Sequence, residues 1–456
     1  MLKYDLPYHE NSTQWFECIR HLPWAVWLDS GKPVSEYGRY DIMVAAPFIK
    51  LTTNAEITKI EHADRTETST EDPFLLLKNL LSDYVIEPNI SPFAGGALGY
   101  FGYDLARRLE ALPTTTQSAL TIPEMMIGLY DWALIVDHQL QSCYLVSTLQ
   151  HADTQSQWPA ICALFTAPHS AKTLSFSVQS DIESNLTEAE YGDAFNAIKR
   201  YITEGDCYQV NLAQRFSTKA TGDAWLAYKK LRELSPAPFM SFMQYPHLQV
   251  LSGSPERFIQ VKNKHVETRP IKGTRPRSSN PIQDAENAKA LQNSEKDRAE
   301  NVMIVDLLRN DIGKNCEIGS VVAKDLFKLQ SFANVHHLVS IVTGKLAIGK
   351  TALDVLRGCF PGGSITGAPK MRAMQIIEAL EPHRRNIYCG SIGYIGFDGQ
   401  CDTNIAIRTA VFNQNTIEFQ AGGGIVADSD LNKEYAETLD KASSLIKTMQ
   451  YFKGTD

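Results

Sequence analysis

The order of strand-like and helix-like segments constrains the fold of this chain more than any other feature. Apolar runs typical of strands follow one another directly, whereas amphipathic patterns typical of helices stand apart from them. A βαβ protein would alternate the two kinds of segment, so this order predicts an α+β fold built on antiparallel sheets. The predicted strands lie near residues 24–28, 41–46, 127–137, 143–149, 210–216, 239–244, 250–252, 258–261, 390–397, 403–412 and 417–426, and the predicted helices near residues 13–20, 191–202, 294–308 and 431–452.

The length of the chain predicts more than one region. A chain of 456 residues exceeds what a single hydrophobic core usually serves. Residues 151–180 have weak periodicity and mixed polarity, so the best boundary lies at the end of this stretch. We therefore predict an N-terminal region over residues 1–180 and a second region over residues 185–453, interleaved in one body.

Composition excludes several classes of protein. The formal charge of 44 − 52 = −8 argues against a nucleic-acid binder, and it requires a local cluster of positive charge to hold any anionic substrate. No apolar run approaches the roughly 18 residues that a membrane span requires, and no signal-peptide core is present. The eight cysteines are scattered without a C-x-x-C spacing. We expect a cytoplasmic protein with reduced cysteines that does not bind a membrane.

The last predicted helix carries acidic and basic residues on one face. Glu434, Glu437 and Lys441 lie within roughly 60° of one another on a helical wheel. Two carboxylates so placed suit Mg²⁺, but Glu437 and Lys441 also form an ordinary surface pair, so the helix alone leaves both interpretations open. The predicted apolar stripe of this helix comprises Tyr435, Leu439, Ala442, Ile446 and Met449.

Glycine-rich stretches do not form a known nucleotide-binding motif. The segment at residues 362–370 lacks the Lys-Ser/Thr of a P-loop, and residues 99–102 lack the Rossmann pattern. The tandem histidines His336 and His337 are not part of an H-E-x-x-H motif. Residues 421–424 (Ala-Gly-Gly-Gly) could let backbone amides approach an anion closely.

Several longer segments carry a specific resemblance. They are Leu-Ser-Gly-Ser-Pro-Glu-Arg-Phe at residues 251–258, Arg-Pro-Ile-Lys-Gly-Thr at residues 269–274, and residues 296–311, 360–370, 390–394 and 420–429. In sequence and in order these segments resemble the chorismate-utilising enzymes, over about residues 22–449. The resemblance implies an α/β sandwich of antiparallel sheets enclosed by helices, with residues 185–453 as the chorismate-binding catalytic domain.

Lys272 distinguishes the branches of this family. Anthranilate synthases carry alanine at the corresponding position, whereas the aminodeoxychorismate branch carries lysine, and there the lysine is thought to form a covalent intermediate. The resemblance thus implies amination of chorismate at carbon 4, on the route to para-aminobenzoate and folate. The alternatives are component I of an anthranilate synthase and, from another class, a non-catalytic regulator that binds a small anion or tryptophan. A nucleophilic Lys272 would need its pKa lowered from about 10.4 to roughly 7–8.

The resemblance also implies roles for the residues of the pocket. Glu256 corresponds to the general acid, and Gln209 stands where isochorismate synthases carry a lysine. Mg²⁺ would lie between Glu300 and Glu437 with Glu434 nearby, and which of the two C-terminal glutamates binds the metal directly stays open. The residues implied to bind substrate are His337, Ser364, Tyr388, Arg408, Gly422, Gly424 and Lys441.

A partner and a second ligand are implied as well. The chain lacks the G-x-C-x-G motif of a glutamine amidotransferase, so ammonia is expected to come from a separate subunit of that family. The N-terminal region resembles the tryptophan-binding element of anthranilate synthases, which here could be regulatory, structural or empty. Its candidate tryptophan-binding residues are Leu28, Ser30, Tyr37, Arg39, Asn211, Pro238, Phe239 and Met240.

Overall fold

The structure is a computed structural model that describes residues 1–31, 38–88, 91–167, 173–331 and 335–454. Within these ranges it contains 25 strands, ten α-helices and two 3-10 helices. The strands are β1 (Leu2–Leu6), β2 (Ala25–Asp29), β3 (Tyr40–Val44), β4 (Ile49–Asn54), β5 (Ile57–Glu61), β6 (Thr66–Ser69), β7 (Gly96–Phe101), β8 (Met125–Tyr130), β9 (Trp132–Asp137), β10 (Ser142–Ser147), β11 (Phe176–Val178), β12 (Glu183–Ser184), β13 (Gln209–Gly222), β14 (Phe239–Tyr245), β15 (Leu248–Ser254), β16 (Arg257–Lys262), β17 (His265–Thr268), β18 (Ile271–Pro276), β19 (Val322–Ser331), β20 (Val335–Lys345), β21 (Gly367–Ala368), β22 (Ser391–Gly396), β23 (Cys401–Asn404), β24 (Thr409–Asn413) and β25 (Thr416–Ile425). The helices are α1 (Thr13–Ile19), α2 (Pro73–Ser82), α3 (Thr154–Thr166), α4 (Glu188–Thr203), α5 (Trp225–Leu234), α6 (Pro281–Gln292), α7 (Glu295–Gly313), α8 (Ala352–Cys359), α9 (Lys370–Leu380) and α10 (Leu431–Tyr451), and the 3-10 helices span Tyr103–Arg108 and Gly363–Ile365.

Two antiparallel sheets form the framework. The first has the strand order β1-β10-β9-β3-β2-β14-β15-β24-β25-β13-β11, with β12 and β21 also paired to β13. The second has the order β18-β20-β17-β16-β23-β22-β7-β8-β4-β5-β6, with β19 also paired to β20. The pairings between these strands are antiparallel. The α+β fold with antiparallel sheets is therefore confirmed.

Both sheets combine strands from either side of residue 180. In the first sheet β2 pairs with β14, so that Leu28 lies opposite Ser241. In the second sheet β7 pairs with β22, so that Gly99 lies opposite Gly393. The two regions that the sequence divides at residues 180–185 thus share both sheets.

The sheets pack face to face, and helices cover their outer faces. One buried cluster joins Val26 and Ile42 of the first sheet to Leu98 and Met126 of the second. A second cluster packs helices α1, α3, α5 and α10 on the first sheet, and a third packs α2, α7 and α8 on the second. Burial of apolar faces in these layers is the main force that stabilises such a sandwich. No helix of the described ranges combines the length and the apolar character that crossing a membrane requires.

Two long apolar runs differ from their prediction as single strands. Residues 127–137 form β8 and β9, which belong to different sheets, with the buried Asp131 between them. Residues 403–412 likewise contain the end of β23, in the second sheet, and most of β24, in the first. Arg408 lies at this crossing with a left-handed φ of 51°. At these two points the chain passes from one layer of the sandwich to the other.

Two helical predictions also need correction. The stretch at residues 151–180 contains α3, whose amphipathic pattern is weak and includes the internal Pro159. The buried face of α10 differs from the predicted apolar stripe, because it includes Glu434, whereas Leu439 of that stripe is exposed. Thr438 is buried instead, because its hydroxyl donates a hydrogen bond to the carbonyl of Tyr435 within the helix.

Candidate active site

The side chains predicted to act in catalysis and metal binding converge from four parts of the fold. Helix α7 packs against β18 and β20, and helix α10 packs against β25. Strands β18 and β20 belong to the second sheet and β25 to the first, and Lys296 of α7 lies 3.7 Å from Glu434 of α10, so the two helices face each other. The residues are Lys272 on β18, Glu256 between β15 and β16, Glu300 on α7, and Glu434, Glu437 and Lys441 on α10.

The backbone around Lys272 is irregular. The register between β18 and β20 shifts between Lys272 and Thr274, a bulge that re-aims the adjoining side chains. Gly273, in the bulge, has a φ of 77°. A Cβ on it would lie 2.8 Å from Leu291 Cδ1 and 3.0 Å from Asp297 Cγ. Glycine is therefore required here both for the backbone conformation and for the close approach of α6 and α7.

The surroundings of Lys272 lower the pKa of its amine. Its side-chain nitrogen makes no hydrogen bond and no ion pair within the described part of the chain. Burial is the largest influence and lowers the pKa of Lys272, and the charge of Lys441 acts in the same direction. The carboxylates of Glu300, Glu256 and Glu437 oppose this shift without cancelling it. The net lowering of the pKa favours the nucleophilic form.

The pKa of Glu256 is shifted in the opposite direction, upward. Its side chain is buried, and burial raises the pKa of its carboxyl to about 7. The Ser364 hydroxyl donates a 2.9 Å hydrogen bond to Glu256 Oε1, which lowers the pKa, as do the charges of Lys272 and Lys441. An acid with a pKa near neutrality can both deliver and recover a proton at physiological pH. Ser364 belongs to the second 3-10 helix, so the glycine-rich loop at residues 362–367 serves the acid rather than a nucleotide.

The two carboxylates of α10, on Glu434 and Glu437, lie near the backbone of Gly423. A Cβ at this position would lie 3.1 Å from Glu434 Oε2 and 3.5 Å from Glu437 Oε1. Glu434 accepts a 2.6 Å hydrogen bond from Ser429 Oγ, and Glu437 forms a 2.7 Å ion pair with Lys441. The α10 carboxylates thus converge above a backbone that has no side chain of its own.

The pKa values of these acids differ. Burial raises the pKa of Glu300 and that of Glu434. Burial also acts to raise the pKa of Glu437, but the charge and hydrogen bond of Lys441 outweigh it, so the pKa of Glu437 is lowered. Among the residues described, no group of three His, Cys, Asp or Glu side chains is arranged to hold a metal ion. Mg²⁺ needs only one or two carboxylates together with water, and oxygen donors facing one another from α7 and α10 fit that requirement.

Burial shifts the pKa of three other predicted substrate-binding side chains, on Arg408, His337 and Tyr388, and the charge of Arg408 acts on His337. The Arg408 guanidinium has no hydrogen-bonding or ionic partner in the described ranges, and burial lowers its pKa. His337 is buried beside Thr274, with 2.9 Å between His337 Nδ1 and the Thr274 hydroxyl oxygen, and burial lowers the pKa of the imidazole to about 4. Tyr388 is buried, and burial raises its pKa well above the usual value. At neutral pH Arg408 is therefore the cation of this group, and the other two are neutral.

The glycine-rich part of β25 has a free edge. Pairing with β24 covers Thr416–Phe419, whereas pairing with β13 continues to Ile425. Beyond Phe419 the peptide groups that face away from β13 can therefore meet a ligand. A Cβ at Gly424 would lie 2.7 Å from Gln209 Nε2, so a side chain there would displace the Gln209 amide. Gln209 is fully buried, and neither its Nε2 nor its Oε1 has a partner among the residues described.

The candidate tryptophan-binding residues are only partly brought together. Leu28 lies opposite Ser241 across the β2–β14 pairing and packs against the cluster between the sheets, whereas Met240 lies opposite Asp29 and packs in the cluster on the outer face of the first sheet. Ser30 donates two 2.8 Å hydrogen bonds to Asp41 Oδ1, from its N–H and its hydroxyl. Pro238 and Phe239 lead into β14 beside Met240, and Arg39 forms an ion pair with Asp137. Asn211 lies on β13, and four strands separate it from β2. Tyr37 lies outside the described residues.

Sequence reasoning missed two groups in these regions. Ser241, opposite Leu28, is fully buried, and within the described ranges its hydroxyl has no partner. Lys296 lies 3.9 Å from Glu300 Oε1 and 3.7 Å from Glu434 Oε1. Its spacing of four residues from Glu300 was visible in the sequence, but the contact with α10 was not.

Comparison with known proteins agrees with this geometry. A model of the chorismate binding enzyme family matches residues 25–447. The chain is 47% identical over 449 residues to aminodeoxychorismate synthase component 1 of Salmonella typhimurium, covering 98% of this chain and 97% of that protein. It is also 47% identical over 439 residues to aminodeoxychorismate synthase component 1 of Escherichia coli K12, covering 96% and 95%. The crystal structure of anthranilate synthase component I from Streptococcus pneumoniae TIGR4 matches with a TM-score of 0.80 at 30% identity, covering 90% of this chain and 92% of that chain. This chain therefore belongs to the chorismate binding enzyme family.

Proposed function

We propose that the chain converts chorismate and ammonia to 4-amino-4-deoxychorismate, as component 1 of an aminodeoxychorismate synthase. Two relatives that are 47% identical over nearly their full length carry that name. The observation that carries the proposal is the setting of Lys272, whose pKa is lowered, beside Glu256, whose pKa is raised to about 7. This pairing supplies a nucleophile and an acid together, as a covalent substitution with a poor leaving group requires.

In the first half of the reaction, the neutral Lys272 amine attacks carbon 2 of the chorismate ring. The carbon–nitrogen bond forms, the ring double bonds shift, and the bond from carbon 4 to its hydroxyl oxygen breaks. Glu256 delivers its proton to the departing oxygen, which leaves as water. The pyruvyl ether stays on the ring because no bond to it is broken.

In the second half, ammonia attacks carbon 4, the ring double bonds shift back to their original positions, and the bond between carbon 2 and Lys272 breaks. The electron pair of that bond returns to the lysine nitrogen. The new amino group loses a proton, which restores the acid form of Glu256. Chorismate and ammonia thereby give 4-amino-4-deoxychorismate and water. The uncharged amide of Gln209 is compatible with ammonia as nucleophile, because it has no basic group that could activate water.

Recognition of chorismate uses both sides of the pocket. Arg408, the Tyr388 hydroxyl and the free edge of β25 at Gly422 and Gly424 hold the enolpyruvyl carboxylate. Lys441 joins this wall, since its ammonium donates a 2.9 Å hydrogen bond to the Gly422 carbonyl. An arginine and backbone N–H groups are common partners of carboxylates.

Mg²⁺ is the metal that the acidic side of the pocket fits. Glu300 would hold it together with Glu437 or Glu434, and when bound it would neutralise and orient the ring carboxylate. The protein's own part is to present these carboxylates from α7 and α10 without an intervening side chain at Gly423. The lowered pKa of Glu437 keeps that carboxylate ionised and ready to bind a cation.

A second subunit is part of the proposal. The name "component 1" of the relatives refers to one component of a larger enzyme. We infer that the partner is a glutamine amidotransferase that supplies ammonia. A complex of the two would use glutamine, whereas this chain alone would require ammonium salts.

A tryptophan site is the least complete part of the proposal. Met240 packs on the outer face of the first sheet, whereas Leu28 packs between the sheets opposite Ser241. The buried Ser241 hydroxyl, which lacks a partner in the described ranges, could bind a polar group there. Calorimetric titration of the chain with tryptophan would detect such a site, and Ser241→Ala should weaken the binding.

The principal test is product analysis. The purified chain would be incubated with chorismate, ammonium chloride and Mg²⁺, and the products separated by chromatography and identified by mass. We expect 4-amino-4-deoxychorismate. Ortho-aminobenzoate together with pyruvate would instead identify an anthranilate synthase, the activity of the 30% identical relative from Streptococcus pneumoniae.

A second experiment tests the covalent route separately. Without ammonia, chorismate should leave an adduct on Lys272 that mass spectrometry of the digested protein can locate. Lys272→Ala should show no adduct, whereas Lys262→Ala, which removes an exposed lysine of β16, should behave like the unaltered chain. Formation of the 4-amino product by Lys272→Ala at an undiminished rate would refute the covalent mechanism while leaving the overall reaction in place.

A further inference from the structure

Lys296 lies between acidic groups of two different helices. Its ammonium is 3.9 Å from Glu300 Oε1 on α7 and 3.7 Å from Glu434 Oε1 on α10. Its charge also lowers the pKa of Glu300, Glu434 and Glu437. A single flexible cation therefore acts on the same three carboxylates that fit a divalent cation.

The position of Lys296 in its own helix is unfavourable. It is the second residue of α7, directly after Glu295, and the N-cap is Ser294, whose hydroxyl accepts a 3.2 Å hydrogen bond from the Asp297 N–H. The N-terminal end of a helix carries partial positive charge, so acidic residues are favoured there and lysine is not. The attraction that holds the ammonium inward must therefore come from the facing carboxylates.

The side chain of Lys296 can also move away from the carboxylates of Glu300 and Glu434. About 44% of its side chain is exposed, compared with 17% for Glu300 and 6% for Glu434. Both ion pairs are longer than a hydrogen bond, and the four-carbon stem can rotate into solvent without disturbing the buried acids. Exposed ion pairs of this kind are weak individually.

We propose that Lys296 is a built-in competitor of the divalent cation, holding the acids of α7 and α10 until the metal displaces its ammonium. The inference rests on the Mg²⁺ site of the proposed function and adds to it the residue that sets the affinity of that site. Lys296 is not a ligand and takes no part in bond making. Its effect is to weaken Mg²⁺ binding and to stabilise the acidic cluster when the metal dissociates.

The test is a titration of the chain with Mg²⁺ alone, monitored by isothermal titration calorimetry. Lys296→Met keeps the length of the stem and removes the charge, and it should lower the Kd for Mg²⁺ by about three- to tenfold. The matched control is Lys447→Met, which removes one positive charge from an exposed position of α10, about 20 Å along the helix from Glu434. The control should bind Mg²⁺ with unchanged affinity.

A second measurement needs no metal. In EDTA, Lys296→Met should unfold at a lower temperature than the unaltered chain, and saturating Mg²⁺ should restore more of its stability than it adds to the unaltered chain. An equal Kd, or weaker binding by Lys296→Met, would overturn the inference and leave the metal site intact. Absence of Mg²⁺ binding in every variant would overturn both the metal site and the role of Lys296.

Discussion

The hydrogen bond from Ser364 to Glu256 should control the pH range in which the enzyme works. Both side chains are buried, and the 2.9 Å bond is the largest influence that lowers the pKa of Glu256, which burial raises to about 7. A hydrogen bond to a charged group contributes about 1.5–3 kcal/mol. Since 1.36 kcal/mol corresponds to one pKa unit, Ser364→Ala should raise the pKa of Glu256 to roughly 8–9.

The consequence appears on the alkaline side of the pH profile. In the proposed mechanism Glu256 must carry a proton to release the hydroxyl of chorismate, so the rate of adduct formation should fall as pH rises through the pKa of Glu256. In Ser364→Ala the fall should begin about 1 to 2 pH units higher than in the unaltered chain. Single-turnover formation of the Lys272 adduct, followed by rapid quench and mass spectrometry, measures this without the titration of ammonia.

The control is a second hydroxyl in the same loop. Thr366 donates a 3.0 Å hydrogen bond to the Gly362 carbonyl, and Thr366→Val removes that bond while keeping the shape of the side chain. The alkaline limb of the pH profile of Thr366→Val should coincide with that of the unaltered chain. An unmoved limb in Ser364→Ala would refute the reasoning about Glu256, and equal movement in both variants would attribute the effect to displacement of the loop.

Three further variants test other parts of the site. Lys272→Ala should abolish amination while chorismate still binds, as judged by calorimetry. Glu300→Gln removes a charge that raises the pKa of Lys272, so adduct formation should extend to lower pH, while calorimetry should show weaker Mg²⁺ binding. Gly424→Ala places a methyl group 2.7 Å from Gln209 Nε2, so kcat should fall and denaturant titration should show a loss of about 1–3 kcal/mol. Gly313→Ala, with no atom within 4 Å of its Cβ, should show neither effect.

The sequence was sufficient for the kind of fold and for the family. Runs of consecutive strands predicted antiparallel sheets, because a parallel sheet needs a crossover connection between strands. The segment containing Lys272 identified the family branch, and the wheel of α10 placed Glu437 beside Lys441, which form an ion pair. Such inferences depend on local spacing or on whole motifs, and both are visible along the chain.

The crossings between sheets could not be predicted in this way. Asp131 interrupts residues 127–137, but it is buried, and its carboxylate accepts hydrogen bonds from the N–H groups of Gln150 and His151. A single polar residue satisfied by a distant loop gives no signal of a turn. Arg408 marks the second crossing, and nothing in the sequence distinguishes its left-handed backbone from an extended one.

The prediction of the buried face of α10 was wrong for a related reason. Hydropathy assigned the buried stripe to the apolar side chains, whereas Thr438 and Thr448 are buried and Leu439 is exposed. Each threonine hydroxyl donates to a carbonyl within its own helix, so neither carries an unsatisfied donor into the core. Hydropathy counts these residues as polar and takes no account of the internal bond.

The balance of charge in the pocket explains how a chain of net charge −8 can bind a dianion. The carboxylates of Glu300, Glu434 and Glu437 lie near the ammonium groups of Lys296 and Lys441, and the partly buried Arg408 stands apart from them, with no ionic partner in the described ranges. Chorismate adds two negative charges, and a divalent cation compensates them. A pocket of cations alone would attract the substrate, but it would offer no oxygen ligands to a divalent cation. Separating the acids of α7 and α10 from Arg408 would therefore let the same site attract a carboxylate at one end and a metal at the other, while burial lowers the pKa of the Lys272 amine between them.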